Sequence, residues 1–552
     1  MSTDSDPAVP ATPSKEQIAI QAQEERRLGL LILENKTGAA LATGVPHFRA
    51  AADLWEKAGS PTRRAECLLD LGKLHTKSGN HADAAKTLTD ALRVFEGSGE
   101  KRLALDAATQ AGNAFIALKD PDQAIRHLKR SLEFAEELND HVQIGLCLLD
   151  LANGYVAKRE ATSAIKCCER ALAIFTSFRK GPQRAQTHEC LASAYTIAGD
   201  FAAAAKNFEA SVTISTELAR SFDATETLSR FAEMERKRGN FDDALTLHER
   251  CIAIHKQSGN KALLAQSLRR IGLVHAKRGA VDDAISSYQR SLDLCEAIND
   301  LDGISRTLYL LGAAEANAQR DAQAFAHLKR SLEVARENEN LSHQEQALSA
   351  ITSLHRQLGN NEPALASMRE WVEVLGKMGD RADQLRALGR IAELQQEMGD
   401  YAEAEAHLAR LIEVCTHPED QAERFRALHS MGTVVAKRGA HLEAMRHFRE
   451  ALPGFTEEPA VRARILHQMG YSALHLGEAK TALEYLQESL AIYDELKDEK
   501  ARARLLVDVG NAQVQLDNKD EARDLFEEAA ELCEDQGDMR ATTIIRKASK
   551  SL

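Results

Sequence analysis

The sequence predicts an all-α repeat protein, a solenoid of antiparallel helix pairs, and two regular spacings are the basis of that prediction. Twelve residues before each of twelve regularly spaced alanines lies a second residue that is small in every repeat, such as Gly72 or Gly432. In eight of the twelve repeats a glycine follows seven residues after it. A fixed period of this length is typical of a repeat array. The alanines lie 40 residues apart, except for one step of 38: Ala84, Ala124, Ala164, Ala204, Ala244, Ala284, Ala324, Ala364, Ala404, Ala444, Ala482 and Ala522.

Each repeat is predicted to contain two helices joined by a tight turn. Apolar residues recur at three- and four-residue intervals on both sides of the glycine, which indicates two amphipathic helices. The glycine supplies the left-handed residue that ends the first helix. Acidic residues such as Asp242 and Glu443 start the second helix, where they face the positive end of the helix dipole. In one repeat, Asp120 and Pro121 add an N-cap and a first-turn proline.

The two ends of the chain depart from the regular repeat. Residues 1–14 are polar and contain three prolines, so we expect a disordered tail there. Terminal units of a solenoid are commonly atypical, because one of their faces meets water. We therefore divide the remainder into a degenerate N-terminal capping repeat, ten regular repeats, two repeats after the 38-residue step and a C-terminal capping helix, over residues 15–60, 61–460, 461–539 and 540–552.

Two irregularities stand inside the array. Pro453 and Gly454 fall where a second helix should continue, and a proline in a helix interior costs about 3 kcal/mol. We predict a shortened helix and a bend there, either a tolerated deletion at a helix end or a functional hinge. Trp371, followed one repeat later by Leu411, occupies a position that is small elsewhere. We predict that repeats eight and nine are splayed, with Trp371 as a shifted core contact or a partner anchor.

Composition and motifs argue against several classes of function. The net charge is −13, whereas nucleic-acid-binding proteins usually have a basic balance. The nine cysteines form no CxxC pair, and no signal peptide or membrane-length apolar run is visible, so we expect a cytoplasmic protein. There is no glycine-rich phosphate loop, HExxH motif or nucleophile elbow, which predicts a protein without catalytic activity or cofactor. His429, His467 and His475 lack a visible third ligand for a metal and are interpreted as polar groove residues.

The small–turn–alanine pattern resembles the tetratricopeptide repeat. The units are longer than the 34-residue standard, and many end in polar turns such as Asn139-Asp140 and Gly259-Asn260. This form is similar to the long-unit branch of the family, which includes kinesin light chains, the Pins adaptors and the repeat domain of the maltose-regulon activator. The resemblance implies helical hairpins stacked into a right-handed superhelix. It also implies that the first helices line a concave groove that binds peptides or protein surfaces.

If the family geometry holds, one position of each first helix faces that groove. In five of the last six repeats the position is arginine, and stacked arginines suit carboxylates, which they bind bidentately. In the family, asparagines two turns further along hydrogen-bond a peptide backbone. The alternative is that Asp383, Glu423 and Asp508 neutralise arginines within the same helix. The candidate partner-binding residues are Arg306, Arg386, Arg426, Arg464, Arg504, Asn113, Asn153 and Asn511.

Basic clusters end several of the first helices, as at Arg236-Lys237-Arg238 and Lys437-Arg438. Cations are favourable at a helix C-terminus because of the dipole. The alternative is an edge that contacts an acidic filament or anionic lipid headgroups.

These observations predict a non-catalytic scaffold or adaptor that binds protein partners and no specific nucleic acid. Because no DNA-binding, nucleotide-binding or G-protein-regulatory segment accompanies the repeats, the chain most resembles bacterial kinesin light chains. That resemblance implies a bacterial tubulin-like filament as partner, with a link to other proteins or to the membrane. One alternative is a regulatory sensor of a peptide or small signal, and another is a chaperone-like assembly factor. The oligomeric state is left open.

Overall fold

The computed structural model describes residues 14–552, and these residues contain 27 α-helices and no β-strand. The tail expected at residues 1–14 lies outside the described residues except for Ser14, whose side chain accepts a hydrogen bond from the backbone of Gln17 and caps the first helix. The chain divides into two compact units, residues 1–274 and 275–552. None of the described helices combines the length and the apolar composition that a bilayer span requires.

In the first unit, the first and second helices of the repeats alternate along the chain. A 3₁₀ segment at Gly38–Gly44 precedes α2. The helices are α1 (Lys15–Asn35), α2 (Val45–Lys57), α3 (Pro61–Lys77), α4 (His81–Ser98), α5 (Lys101–Ala117), α6 (Pro121–Glu137), α7 (His141–Lys158), α8 (Ala161–Ser177), α9 (Gly181–Ala198), α10 (Phe201–Glu217), α11 (Ser221–Arg238), α12 (Phe241–Gln257) and α13 (Lys261–Arg278), the last of which crosses the unit boundary.

The second unit continues the same alternation. Two 3₁₀ segments interrupt it, at Pro418–Asp420 and Leu452–Phe455. Its helices are α14 (Val281–Ala297), α15 (Leu301–Asn317), α16 (Asp321–Glu337), α17 (Leu341–Gln357), α18 (Asn361–Met378), α19 (Arg381–Met398), α20 (Tyr401–Val414), α21 (Gln421–Lys437), α22 (His441–Ala451), α23 (Pro459–His475), α24 (Ala479–Leu496), α25 (Glu499–Gln515), α26 (Lys519–Asp535) and α27 (Met539–Lys550).

Small residues at fixed positions set the packing within each unit. All twelve regularly spaced alanines have no exposed surface. The paired position on the first helix is equally tight: a Cβ added to Gly72 would lie 2.5 Å from Leu88, and one added to Gly432 would lie 2.5 Å from Phe448. In the first unit, for example, α5 packs on α6, the second helix of its own repeat, and on α7, the first helix of the next repeat. The all-α fold of stacked helix pairs is therefore confirmed.

The turn inside each repeat is formed by a left-handed residue. The eight predicted glycines all have positive φ, for example 85° at Gly439. Where glycine is absent the same conformation is retained, with φ of 65° at Arg159 and 63° at Asp517. The second helix that follows starts as predicted at Asp120, whose carboxylate caps Gln123 ahead of Pro121 in the first turn.

Two second helices in the second unit are short. The predicted shortening at Pro453 is confirmed, because α22 ends at Ala451 after 11 residues. A Cβ on Gly454 would lie 2.2 Å from the ring of Phe425, so the chain passes that ring too closely for a side chain. The bend remains a prediction. The end of α20 at Val414 was not predicted, although Pro418 follows four residues later and helices commonly end before a proline. At this end Arg381 donates hydrogen bonds to the Val414 carbonyl and to Asp420.

Trp371 is partly buried and packs against a cluster that includes Leu348 and Val374. Its indole N–H donates to Oε1 of Glu345 at 3.2 Å. These contacts favour the interpretation of Trp371 as a core contact rather than a partner anchor. Splaying of repeats eight and nine remains a prediction.

The basic helix ends of the two clusters are largely neutralised. Arg236 and Arg238 pair with Glu233 and Glu235 in the same helix, and Arg438 pairs with Glu405. These pairs favour a structural role at the helix end.

Candidate protein-interaction site

The five predicted arginines lie on first helices of the second unit and are all exposed. They are placed on α15, α19, α21, α23 and α25, so the last four come from consecutive repeats. We call this set the arginine face: Arg306, Arg386, Arg426, Arg464 and Arg504.

The five arginines differ in whether a carboxylate neutralises them. Arg386 pairs with Asp383 at 2.5 Å and Arg426 pairs with Glu423 at 2.6 Å, three residues earlier on the same helix. The other three, Arg306, Arg464 and Arg504, form no ion pair within residues 14–552. Three guanidinium groups therefore remain available to a partner.

The expected pairing of Arg504 with Asp508 is wrong. Asp508 instead accepts a hydrogen bond from Nε2 of His467 at 2.8 Å, from the first helix of the preceding repeat. Helical spacing suggested the local partner, but the neighbouring first helix presents a closer one. As a result Arg504 is left unpaired.

Hydrogen bonds connect the three helices that carry the last arginines. His429 on α21 contacts Oε1 of Gln468 on α23 through Nε2 at 2.9 Å, and Gln468 donates back to Thr433 at 3.1 Å. Burial lowers the pKa of His429, so the ring is neutral at neutral pH and its Nε2–H can donate. With the bond between His467 and Asp508, these contacts fix α21, α23 and α25 relative to one another. Arg426, Arg464 and Arg504 thus lie on helices that are joined by side-chain hydrogen bonds.

The histidines do not converge as metal ligands. His475 stacks on His441, with ring centroids 4.5 Å apart, while His429 and His467 are hydrogen-bonded to Gln468 and Asp508. Within residues 14–552, no three or more His, Cys, Asp or Glu side chains are arranged to hold a metal ion.

The arginine face belongs to an acidic unit. Residues 275–552 contain 48 acidic and 34 basic side chains, a net charge of −14. Residues 1–274 contain 35 acidic and 36 basic side chains and are almost neutral. The charges of Arg306, Arg464 and Arg504, which form no ion pair within the described residues, are therefore opposite in sign to the net charge of their unit.

The predicted asparagines are divided between the units. Asn511 is exposed on α25. Asn113 lines an open cavity of about 930 Å³ that involves α5 and α7. Asn153 lines a second cavity, of about 410 Å³, along α7, α9 and α11. The structure thus places Asn113 and Asn153 beside two adjoining cavities in the first unit.

A residue that the sequence did not single out, Asp150 on α7, lines both cavities. Its carboxylate has no hydrogen bond or ion pair within residues 14–552, and burial raises its pKa to about 6. Asp70 and Asp508 hold the same repeat position, but Arg26 contacts Asp70 at 2.8 Å and His467 contacts Asp508. The sequence signal that could have identified Asp150 is its position between two leucines, Leu149 and Leu151. Its lack of a cationic partner among the described residues is visible only in the structure.

Comparisons with solved structures return helical repeat proteins. A Rap protein complexed with competence and sporulation factor is 16% identical over 67% of this chain and 100% of its own, with a TM-score of 0.34. A putative kinesin light chain from Podosopora anserina is 17% identical over 37% of this chain and 98% of its own, with a TM-score of 0.33. Aspartyl phosphate phosphatase F from Bacillus subtilis is 10% identical over 75% of this chain and 98% of its own, with a TM-score of 0.35.

A search of curated proteins finds no match to the chain. The family model for subunit 5 of the anaphase-promoting complex matches residues 308–397. The tetratricopeptide repeat model matches four stretches that together cover 300 of the 552 residues: 103–177, 223–297, 383–457 and 461–535. The chain belongs to the tetratricopeptide repeat family.

Proposed function

We propose that this protein is a non-catalytic interaction scaffold whose arginine face binds an acidic segment of a partner protein. The observation that carries the proposal is the exposure of Arg306, Arg464 and Arg504 without ion-pair partners, on a unit whose net charge is −14. A guanidinium presents five donors in a fork that matches a carboxylate. An acidic partner therefore supplies what these side chains lack.

Several arginines must act together for such binding to be strong. A single exposed ion pair contributes about 0.2–1 kcal/mol. Arg426, Arg464 and Arg504 lie on consecutive first helices that are hydrogen-bonded to one another, so little ordering is needed when a partner binds. Arg426 has to exchange Glu423 for the partner, which makes its contribution the smallest of the three.

The spacing of the helices suggests the form of the acidic segment. Packed helices lie about 8–10 Å apart. A polyproline II segment repeats every three residues with a rise of about 3.1 Å per residue, so carboxylates three residues apart are separated by about 9 Å on one side. An extended segment with an acidic residue at every third position would place one carboxylate opposite each arginine.

The finer identity we propose is a kinesin light chain-like adaptor in the cytoplasm that binds a bacterial tubulin-like filament and links it to other proteins or to the membrane. The 40-residue period and the polar turns between repeats support the long-unit type. An acidic filament surface would offer the regularly spaced carboxylates that the arginine face lacks.

Co-sedimentation with polymerised tubulin-like protein tests this identity. The double variant Arg464→Glu/Arg504→Glu should stay in the supernatant, whereas wild type should pellet with the filaments. The matched control is Arg410→Glu/Arg449→Glu, which reverses two exposed arginines without ion pairs on the second helices α20 and α22, and it should pellet as wild type does. If wild type fails to pellet, the filament is not the partner.

A regulatory sensor is the second candidate, and the two cavities beside Asp150 favour it. A scaffold needs only an exposed face, whereas a sensor needs a recessed site for a ligand. The cavities of the first unit provide such a site.

A further inference from the structure

We propose that the two cavities beside Asp150 form a second binding site, the Asp150 site, which takes the guanidinium of an arginine side chain in an extended peptide. This site lies wholly within the first unit and shares no residue with the arginine face. With the Asp150 site, the protein would bind a cationic ligand in its first unit, whereas the arginine face of its second unit suits an acidic ligand.

The missing counter-charge is the first support. Asp150 is partly buried, and a carboxylate that loses part of its hydration is destabilised unless a cation or a hydrogen bond compensates. At the same repeat position, Asp70 has Arg26 and Asp508 has His467 as partners. Asp150 has neither, and burial without a compensating cation raises its pKa. An arginine from a ligand would fill the role that Arg26 fills for Asp70.

Most of the other acidic side chains around the cavities contact a cation. Lys73 contacts Asp106 at 2.6 Å. Arg230 contacts Glu189 at 2.7 Å and Glu226 at 2.8 Å. The remaining titratable groups that line the cavities are Arg102, exposed on α5, Asp140 and His141 at the start of α7, Cys190 on α9, and Asp223, which Arg220 contacts at 2.5 Å. Asp140 and Asp150 are the carboxylates of the larger cavity without a cationic partner in the part of the chain that the structure describes, and Asp150 is the less exposed of the two. Asp140 already accepts a hydrogen bond from the backbone of Gln143. A cationic ligand would therefore be directed to Asp150.

The cavity walls suit a peptide backbone around that cation. Side chains of Gln110, Asn113 and Asn153 line the cavities and form no hydrogen bond within residues 14–552. Each amide offers a donor and an acceptor, which are the groups that an extended backbone requires. Leu146 and Phe178 supply apolar surface in the larger cavity. A cavity of about 930 Å³ is within the range of ligand sites in proteins.

A pair of matched peptides tests the proposal on the full-length protein. One is an acetylated and amidated pentapeptide with leucine at both ends, arginine in the middle and alanine between. The other carries citrulline, a neutral isostere, instead of arginine. At pH 7.5, calorimetric or NMR titration should show the arginine peptide binding at least tenfold more tightly. The difference should disappear in Asp150→Asn and persist in Asp106→Asn, which changes a carboxylate of the same cavity that Lys73 already neutralises.

The preference for arginine should also depend on pH. The pKa of Asp150 is raised to about 6, so the carboxylate is charged at pH 7.5 and mostly protonated at pH 5. The arginine peptide should lose its advantage as the pH falls through 6. Equal binding of both peptides to wild type at pH 7.5, or no binding of either at low millimolar concentration, would overturn the proposal. So would equal reductions in affinity in Asp150→Asn and Asp106→Asn. None of these results bears on the arginine face.

Discussion

The first helices of the two units share one backbone arrangement but carry different charges. At the same repeat position, the first unit has Glu66, Asp106 and Glu226, whereas the second has Arg464 and Arg504. The acidic side chains of the first unit are paired with cations, while the arginines of the second are partly unpaired. The difference shows that the repeat fixes where a side chain is displayed, and that its neighbours decide whether it is free to bind.

The same lesson holds for a single position occupied by aspartate in both units. Asp150 and Asp508 are equivalent in their repeats, yet only Asp508 has a partner. Asp150 is partly buried, and a carboxylate that loses hydration without gaining a partner destabilises the protein that contains it. Functional sites commonly have residues whose pKa is perturbed in this way.

The largest effect we expect in this comparison concerns stability. Asp150→Asn should raise the free energy of unfolding by about 1–3 kcal/mol at pH 7.5, because it removes a charged group whose pKa is raised to about 6. The native state holds this proton more tightly than the unfolded state, so stability falls as the pH rises from about 4 to about 6. The gain from Asp150→Asn is therefore complete above pH 6 and absent below about 4.

Asp508→Asn is the control for that measurement. It should lower the free energy of unfolding by about 1 kcal/mol, because it weakens the hydrogen bond with His467. Urea denaturation at pH 4 and pH 7.5 measures both variants. A lower stability of Asp150→Asn at pH 7.5 would mean that the carboxylate has a stabilising partner.

A smaller effect should follow from releasing Arg426. Glu423→Gln removes the carboxylate that holds this arginine, so the affinity for an acidic peptide should rise by about two- to fivefold, as expected for one exposed ion pair. The control is Glu443→Gln, which releases Arg446 on the second helix α22 and should leave the affinity unchanged. Fluorescence anisotropy with a labelled peptide measures both. Equal increases in the two variants would indicate a general charge effect.

Local patterns in the sequence were enough to predict the fold. The spaced alanines and glycines report close helix packing and left-handed turns, which depend on residues near in the chain. Pro453 likewise predicted the short α22. The early end of α20 was missed, although Pro418 is a comparable local signal. The contacts of Arg381 with Val414 and Asp420, more than thirty residues later, have no such signal in the sequence.

The site was predicted only in part, for a related reason. Spacing along one helix correctly predicted that Asp383 and Glu423 neutralise arginines. It failed for Asp508, because His467 approaches from the neighbouring first helix. Asp150 was missed because its distinguishing property is the absence of a cation in the surrounding helices. Such an absence has no pattern in the sequence.

The central claim is that the arginine face binds an acidic segment, and reversing the charges of both the arginine face and the peptide tests it most directly. Two labelled peptides with a glutamate or a lysine at every third position, separated by proline and alanine, are titrated against wild type and Arg464→Glu/Arg504→Glu. Wild type should prefer the glutamate peptide, and the variant should bind it at least about 30-fold more weakly, because two ion pairs of about 1 kcal/mol each are lost and like charges then face each other. The variant should in turn prefer the lysine peptide, while Arg410→Glu/Arg449→Glu behaves as wild type. The same peptide preference in wild type and Arg464→Glu/Arg504→Glu would contradict the account.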